Sequence, residues 1–247
     1  MIYNIRGYFG GLGDQLQFSC MPEYLSSLGH QVKLYVGPDV MSFRNQAIKD
    51  FVWGYNPFIY PEGKEKPLCE SAFGPWNMGD VPNLPYINTT GAFISNWEAM
   101  HGLEPKNVLP KIYYTPKTFE LTKQDGLIEL SGISMKYNPE SVKAQVRKII
   151  ANSNINWRQV VSDYQSNYIE LPEIPKVKVS SLEELSDLIH NCKSLITLNS
   201  GVHSLAAAIQ RFGNVCSHYS LIPEKEYEAV MANKKFIYPN IIYLKCG

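Results

Sequence analysis

The sequence lacks several features that mark specialised classes of protein. It has 23 basic and 23 acidic side chains, so its formal net charge is zero and gives no overall attraction to nucleic acid or anionic membranes. No apolar run approaches the ~18 residues that span a bilayer, and no secretory leader follows Met1. We therefore expect a cytoplasmic protein without integral membrane association.

Cysteine is scarce and shows no pattern. The five cysteines are odd in number, and none forms a Cys-x-x-Cys or other metal-type spacing. This usage is typical of buried thiols in a reducing compartment. The sequence also has no Asp-x-Asp cluster and no grouping of His with Cys, so we expect neither a metal nor another cofactor.

The chain opens with a strand, a glycine-rich turn and a helix. The apolar opening of the chain predicts a strand over residues 2–7, and the segment Phe9-Gly-Gly-Leu-Gly-Asp14 follows it. This order marks the ligand edge of an α/β sheet, where glycines let the backbone approach a ligand closely. The predicted helix covers 14–28 and should kink or break at Pro22, because proline removes a helical hydrogen bond. Asp14 is either a helix N-cap or a functional acid.

A second α/β pattern follows in the C-terminal half. Strands that alternate with helices are predicted there over residues 127–130, 177–179, 194–198 and 241–244. Because this alternation is typical of parallel sheets, the predicted fold class is α/β with two Rossmann-like domains that face a central cleft. We place the domains at 1–120 and 121–247. Residues 38–92 match no pattern that we recognise.

Two polar loops of the second half are candidate anion sites. Ser131 and Lys136 lie in one of them, where hydroxyl and ammonium groups suit anionic oxygens. The other is Asn199-Ser-Gly201, which is followed by His203, Ser204 and an alanine-rich helix. The free N–H groups and the dipole of such a helix start suit a phosphate or pyrophosphate. The alternative for both loops is an ordinary solvent-facing or helix-capping role.

These motifs resemble GT-B glycosyltransferases of the heptosyltransferase type, glycosyltransferase family 9. The resemblance is carried by three stretches: Gly13-Asp14 with Pro22, Ser131 with Lys136 and Pro139, and Ser200-Gly201 with Leu205-Ala206-Ala207. Two positions depart from the family pattern. Asn199 stands where the family has Asp, and Ser204 stands where it has His, with His203 one position early. The chain is also short for this family, which implies a shortened GT-B fold.

The resemblance implies a transfer of sugar from a nucleotide-diphosphate sugar to an acceptor hydroxyl, with inversion and without metal. Asp14 would be the base that deprotonates the acceptor. The residues implied to bind the donor are Ser131, Lys136, Asn199, Ser200, Gly201, His203 and Ser204. Those predicted on the acceptor side are Gly11, Gly13, Trp97 and His101. The nucleotide sugar is a co-substrate, and the acceptor is a glycan or a modified nucleobase in DNA.

Two alternatives stay open at this point. The first is an NAD(P)-dependent oxidoreductase, because Gly11-x-Gly13 begins a dinucleotide fingerprint and Asp39 lies near the end of the second strand. Leu16 occupies the third glycine position of that fingerprint, which weakens this interpretation. The second alternative is a nucleotide-sugar-binding module without catalysis, which the short chain and Asn199 favour.

Overall fold

The computed structural model describes a large part of the chain. The described residues are 2–6, 11–35, 46–60, 94–95, 98, 103–118, 125–132, 135–162, 167–213, 216–232 and 236–247, with backbone only for 2–6 and 35. Trp97, His101 and Asp39 lie outside them. No described helix combines the length and apolarity that a membrane crossing needs.

The N-terminal part forms a small parallel sheet with strand order β1-β2-β3. Its strands are β1 (Ile2–Arg6), β2 (Gln31–Tyr35) and β3 (Ile59–Tyr60). Its helices are α1 (Leu12–Phe18), α2 (Met21–Ser27) and α3 (Gln46–Lys49), the last continued by a π-helical turn, Asp50–Gly54. The predicted break is confirmed: Pro22 lies in the first turn of α2, where its missing N–H has no helical partner to lose.

The C-terminal part contains a second parallel sheet with strand order β6-β5-β4-β7-β8-β9. Its strands are β4 (Asp125–Glu129), β5 (Asn156–Ser162), β6 (Lys176–Val179), β7 (Ser194–Leu198), β8 (Ser217–Pro223) and β9 (Ile241–Cys246). Its helices are α4 (Pro139–Ala151), α5 (Leu182–Asn191), α6 (Gly201–Ile209) with a 3₁₀ turn over Gln210–Phe212, and α7 (Glu224–Ala232). The prediction of an α/β fold with parallel sheets is confirmed.

One hydrophobic cluster contains residues from both parts of the chain. Leu16 of α1 and Val32 of β2 belong to it together with Leu127, Leu195 and Leu205 from the second sheet and α6. A separate cluster fills the other face of the second sheet, beneath Val142 and Val146 of α4, and is built from Ile128, Leu130, Ile196 and Leu198. The two sheets are therefore linked by shared apolar packing. The division at residue 120 stays a prediction.

The first turns of α1 and α6 touch through two glycines. A Cβ atom at Gly13 would lie 3.2 Å from the Cα of Gly201, and one at Gly201 would lie 3.0 Å from the Gly13 nitrogen and 2.9 Å from Leu12 Cβ. A Cβ at Gly201 would force a neighbouring atom to shift, and one at Gly13 would fit only if α6 moved by a few tenths of an ångström. Glycine at both positions therefore permits this close contact.

We predict that Gly201→Ala destabilises the protein. The added methyl group would press on the α1 backbone, which should lower the free energy of unfolding by roughly 1–3 kcal/mol. Gly54→Ala is the matched control, because a Cβ there meets no described atom within 4 Å. Urea denaturation of both variants checks this, and equal stability of the two would contradict the close contact.

Candidate functional site

Asp14 is the one residue of α1 that is not buried. The other residues of this helix are buried, whereas Asp14 is partly exposed in its first turn. The N-cap position belongs to Gly11, whose carbonyl accepts the Gln15 N–H at 3.0 Å. Asp14 is therefore not the N-cap. Its side chain is the part of this buried helix that solvent can reach.

Hydrogen bonds on both sides of Asp14 hold α1 in place. Gln15 Oε1 accepts the indole N–H of Trp53 at 2.8 Å, and both side chains are buried. Gln17 donates to the hydroxyl of Tyr238, which lies just before β9 in the sequence. Trp53 is thus a core residue that anchors α1. The two bonds hold the helix against rotation, and Asp14 lies between the two residues that make them.

The loop before α6 contains polar groups that have no partner in the described part of the chain. Asn199 is buried, yet neither its Oδ1 nor its Nδ2 makes a hydrogen bond there. Ser200 is the N-cap of α6, and its buried Oγ is likewise unpartnered. Unpaired buried polar atoms are costly, so their presence at a helix N-terminus is typical of a ligand site. Gly201 begins the helix and supplies the contact with Gly13.

His203 and Ser204 lie deeper than the sequence suggests. Both are fully buried, and the His203 Nε2 lies 2.9 Å from the carbonyl oxygen of Phe236. Ser204 Oγ lies 2.8 Å from the hydroxyl of Tyr238. Burial lowers the pKa of His203 to about 4, so the ring is neutral near pH 7. These partners support a structural role, and donor binding by the two residues stays a prediction.

The loop that contains Ser131 and Lys136 has one buried end and one exposed end. Ser131 is buried beside Glu129, and its N–H donates to Glu129 Oε1 at 3.2 Å. The Ser131 hydroxyl donates to the same oxygen. Lys136 is exposed on the loop, and Tyr137 next to it accepts the Asn199 N–H at 3.0 Å. The structure therefore brings the two polar loops together, as the sequence predicts for parallel strands that end at one edge.

Glu129 is a residue of this region that the sequence interpretation missed. It ends β4 in register with Thr197 of β7, is buried, and has no partner for Oε2 among the described residues. Burial raises its pKa to about 7, although the two Ser131 hydrogen bonds act in the opposite direction. The available signal was an acid inside the apolar strand of residues 127–130.

Comparison with solved structures places this architecture among known folds. The iron-containing dodecameric glycosyltransferase TibC from enterotoxigenic E. coli H10407 matches with a TM-score of 0.63 and 16% identity, over 100% of this chain and 64% of that one. The fold is that of the heptosyltransferases. The expected α/β fold of GT-B type is thus confirmed, whereas the layout of two domains around a central cleft stays a prediction. The chain spans less than two thirds of the TibC length.

Two further structures agree. A glycosyltransferase of family 9 from Veillonella parvula has a TM-score of 0.60 and 12% identity, over 99% of this chain and 85% of that one. The E. coli heptosyltransferase WaaC, solved with ADP, has a TM-score of 0.54 and 7% identity, over 100% and 94%. A second TibC structure contains ADP-D-β-D-heptose. The sequence matches no protein-family model and no curated protein.

TibC is an iron-containing protein, so we asked whether cysteines, histidines and acids of this chain could bind a metal ion. Within the described ranges, no three such side chains come together as a metal site. Cys20, Cys192, Cys216 and Cys246 are free thiols. The expectation of metal-free chemistry stays a prediction.

We predict that Tyr238→Phe loosens the contact between α1 and α6. The change leaves the buried side chains of Ser204 and Gln17 without their shared hydroxyl partner, which should cost roughly 1–3 kcal/mol of unfolding free energy. Tyr219→Phe serves as the control, because this partly buried tyrosine of β8 makes no hydroxyl hydrogen bond with described residues. If both variants melt alike, the network does not stabilise the contact.

We also predict a pH-dependent stability that originates in Glu129. Its pKa is about 7 in the folded protein against 4.5 ordinarily, so the folded state retains a proton that the unfolded state has lost. The free energy of unfolding should therefore fall as pH rises through this window, by on the order of 3 kcal/mol. Denaturation of Glu129→Gln at about pH 5 and about pH 8 should lack this decline. A decline equal to that of the natural protein would assign it to other groups.

Proposed function

We propose that the protein is an inverting glycosyltransferase that uses a nucleotide-diphosphate sugar, with Asp14 as the base. The observation that carries this proposal is one juxtaposition. The accessible acid of a buried helix follows directly on Gly13, which touches Gly201 at the N-terminus of α6. The unpartnered groups of Asn199 and Ser200 lie at the same N-terminus. An acid beside an anion-binding helix start is what transfer from a diphosphate leaving group requires.

The donor phosphates would bind at the N-terminus of α6. Free N–H groups and the helix dipole favour an anion there, and the Ser200 hydroxyl has no competing partner among the described residues. The Asn199 side chain offers a donating NH₂ group and an accepting carbonyl oxygen, so it suits a phosphate oxygen or a sugar hydroxyl. Lys136, exposed on the neighbouring loop, would supply positive charge to the leaving diphosphate. ADP-heptose bound to TibC supports a donor of this class.

In the proposed reaction the Asp14 carboxylate accepts the proton of the acceptor hydroxyl. The acceptor oxygen then attacks the anomeric carbon from the face opposite the diphosphate, and the bond from that carbon to the phosphate oxygen breaks. The electron pair leaves with the nucleoside diphosphate, whose charge the α6 N-terminus and Lys136 stabilise. The acceptor, a glycan or a modified nucleobase, is a prediction from the sequence. Trp97 and His101 stay predicted acceptor contacts.

We predict that Asp14→Asn retains donor binding and loses transfer. The amide keeps the size of the side chain but accepts no proton, so turnover should fall by about 10²–10⁴-fold. Asp50→Asn is the control, because Asp50 is an exposed acid whose Oδ1 accepts from Gln46 at 2.7 Å. Thermal shift with ADP-heptose and UDP-glucose reports binding, and release of nucleoside diphosphate reports turnover.

The results separate the proposal from both alternatives. Unchanged turnover in Asp14→Asn would refute the assignment of the base. Donor binding without turnover in the natural protein, given a panel of glycan and DNA acceptors, would favour the binding module. Tight binding of NADH in place of nucleotide sugars would instead favour the oxidoreductase.

A further inference from the structure

The Ser131 hydroxyl can donate its hydrogen either to Glu129 or to a bound anion, but not to both. Its hydrogen and the Ser131 N–H are both directed to Glu129 Oε1, so the residue offers no donor to a bound anion in this arrangement. Both side chains are buried, with 5% of each residue exposed. The Glu129 carboxylate therefore directs the hydroxyl hydrogen of Ser131 away from any phosphate oxygen that would bind at this loop.

The direction of that hydrogen depends on the proton of Glu129. An ionised carboxylate only accepts, so the serine must donate to it. A carboxyl that carries its proton on Oε1 donates that hydrogen to Ser131 Oγ, and the serine hydrogen is then free to turn toward an anion. The protonated state also removes a buried negative charge from beneath the anion. Glu129 Oε2, which has no described partner, is not held in the ionised state by another donor.

We propose that Glu129 is a positioning residue, which by gaining a proton turns the Ser131 hydroxyl toward the phosphates of a bound nucleotide sugar. The inference rests on the proposed function, because it assumes that the Ser131 loop contacts the donor. It makes donor binding and proton uptake by Glu129 one linked equilibrium. Donor affinity should then weaken as pH rises, while the chemical step at Asp14 keeps its own pH dependence.

The titratable groups around Glu129 do not account for such an effect near pH 7. Its neighbour in register is Thr197, and the ladder to β5 ends one residue earlier with Gln159, so both flanking strands present neutral side chains. Beyond Thr197, His218 of β8 and His203 of α6 have pKa values lowered by burial and are neutral in this range. Among the described residues, the charged side chains that the proposed site includes on other elements are Asp14 of α1 and Lys136 of the loop, and both are kept in a Glu129 variant.

The test is calorimetric titration of ADP-heptose and UDP-glucose, whose bridging phosphates keep their charge near neutral pH. With the pKa of Glu129 at about 7, affinity of the natural protein should fall about tenfold between about pH 6 and about pH 8. Binding at about pH 7 should take up about half a proton, measured by repeating the titration in buffers of different ionisation enthalpy.

Glu129→Gln mimics the protonated acid and should show neither the pH dependence of affinity nor the proton uptake. The control is Glu140→Gln, which changes an exposed acid at the start of α4 and should behave as the natural protein.

Ser131→Ala distinguishes a turned hydroxyl from simple charge repulsion. In the natural background it should cost affinity at the lower pH and little at the higher pH, and in the Glu129→Gln background it should cost affinity at both. A cost that is independent of pH in the natural background would overturn the role of the hydroxyl. Equal proton uptake with and without Glu129 would overturn the proposal altogether. If neither sugar binds the natural protein, the proposed function fails and this inference fails with it.

Discussion

The contact between the backbones of α1 and α6 is the constraint on which the site depends. Gly13 and Gly201 meet so closely that any side chain at Gly201 would clash with Leu12 and with the α1 backbone. This approach brings the acid at Asp14 and the polar N-terminus of α6 into one region, although the two come from opposite ends of the chain. Apolar packing alone would leave the spacing between the helices adjustable, whereas two glycines fix it at backbone contact.

The sequence predicts the parts of the site that have local signals. Gly11 to Asp14, the Pro22 break and the polar loops at 131 and 199 are all visible, because glycine permits tight turns, proline restricts the backbone and hydroxyl residues favour turns and helix starts. The anchor of α1 is not visible in this way. Gln17 and Tyr238 are separated by 221 positions, and neither has a neighbour that signals the other. Such a pair is defined by tertiary packing alone.

Polar residues on buried strands account for two further features that the sequence analysis missed, strand β8 and the residue Glu129. The segment 217–220 is a central strand, yet it contains two serines, His218 and Tyr219. The buried position of His218 is tolerated because its Nε2 lies 2.9 Å from Thr197 Oγ1 on the neighbouring strand β7. Glu129 is similar, since it is buried and its Oε1 accepts the N–H of Ser131 two residues later. A pattern of apolar residues cannot identify such strands, because the partners of their buried polar side chains, such as Thr197 for His218, lie on other segments of the chain.

The departure at Ser204, with His203 one position early, can be compared with the same helix contact. Successive residues of a helix point about 100° apart, so exchanging histidine and serine exchanges the surfaces they meet. Position 204 faces α1, where Ser204 Oγ would lie 3.5 Å from a Cβ at Gly13, and an imidazole there would push α1 away. Position 203 faces the Phe236 carbonyl and Tyr243, which receive the ring. The small side chain of Ser204 therefore fits beside the glycine contact between α1 and α6.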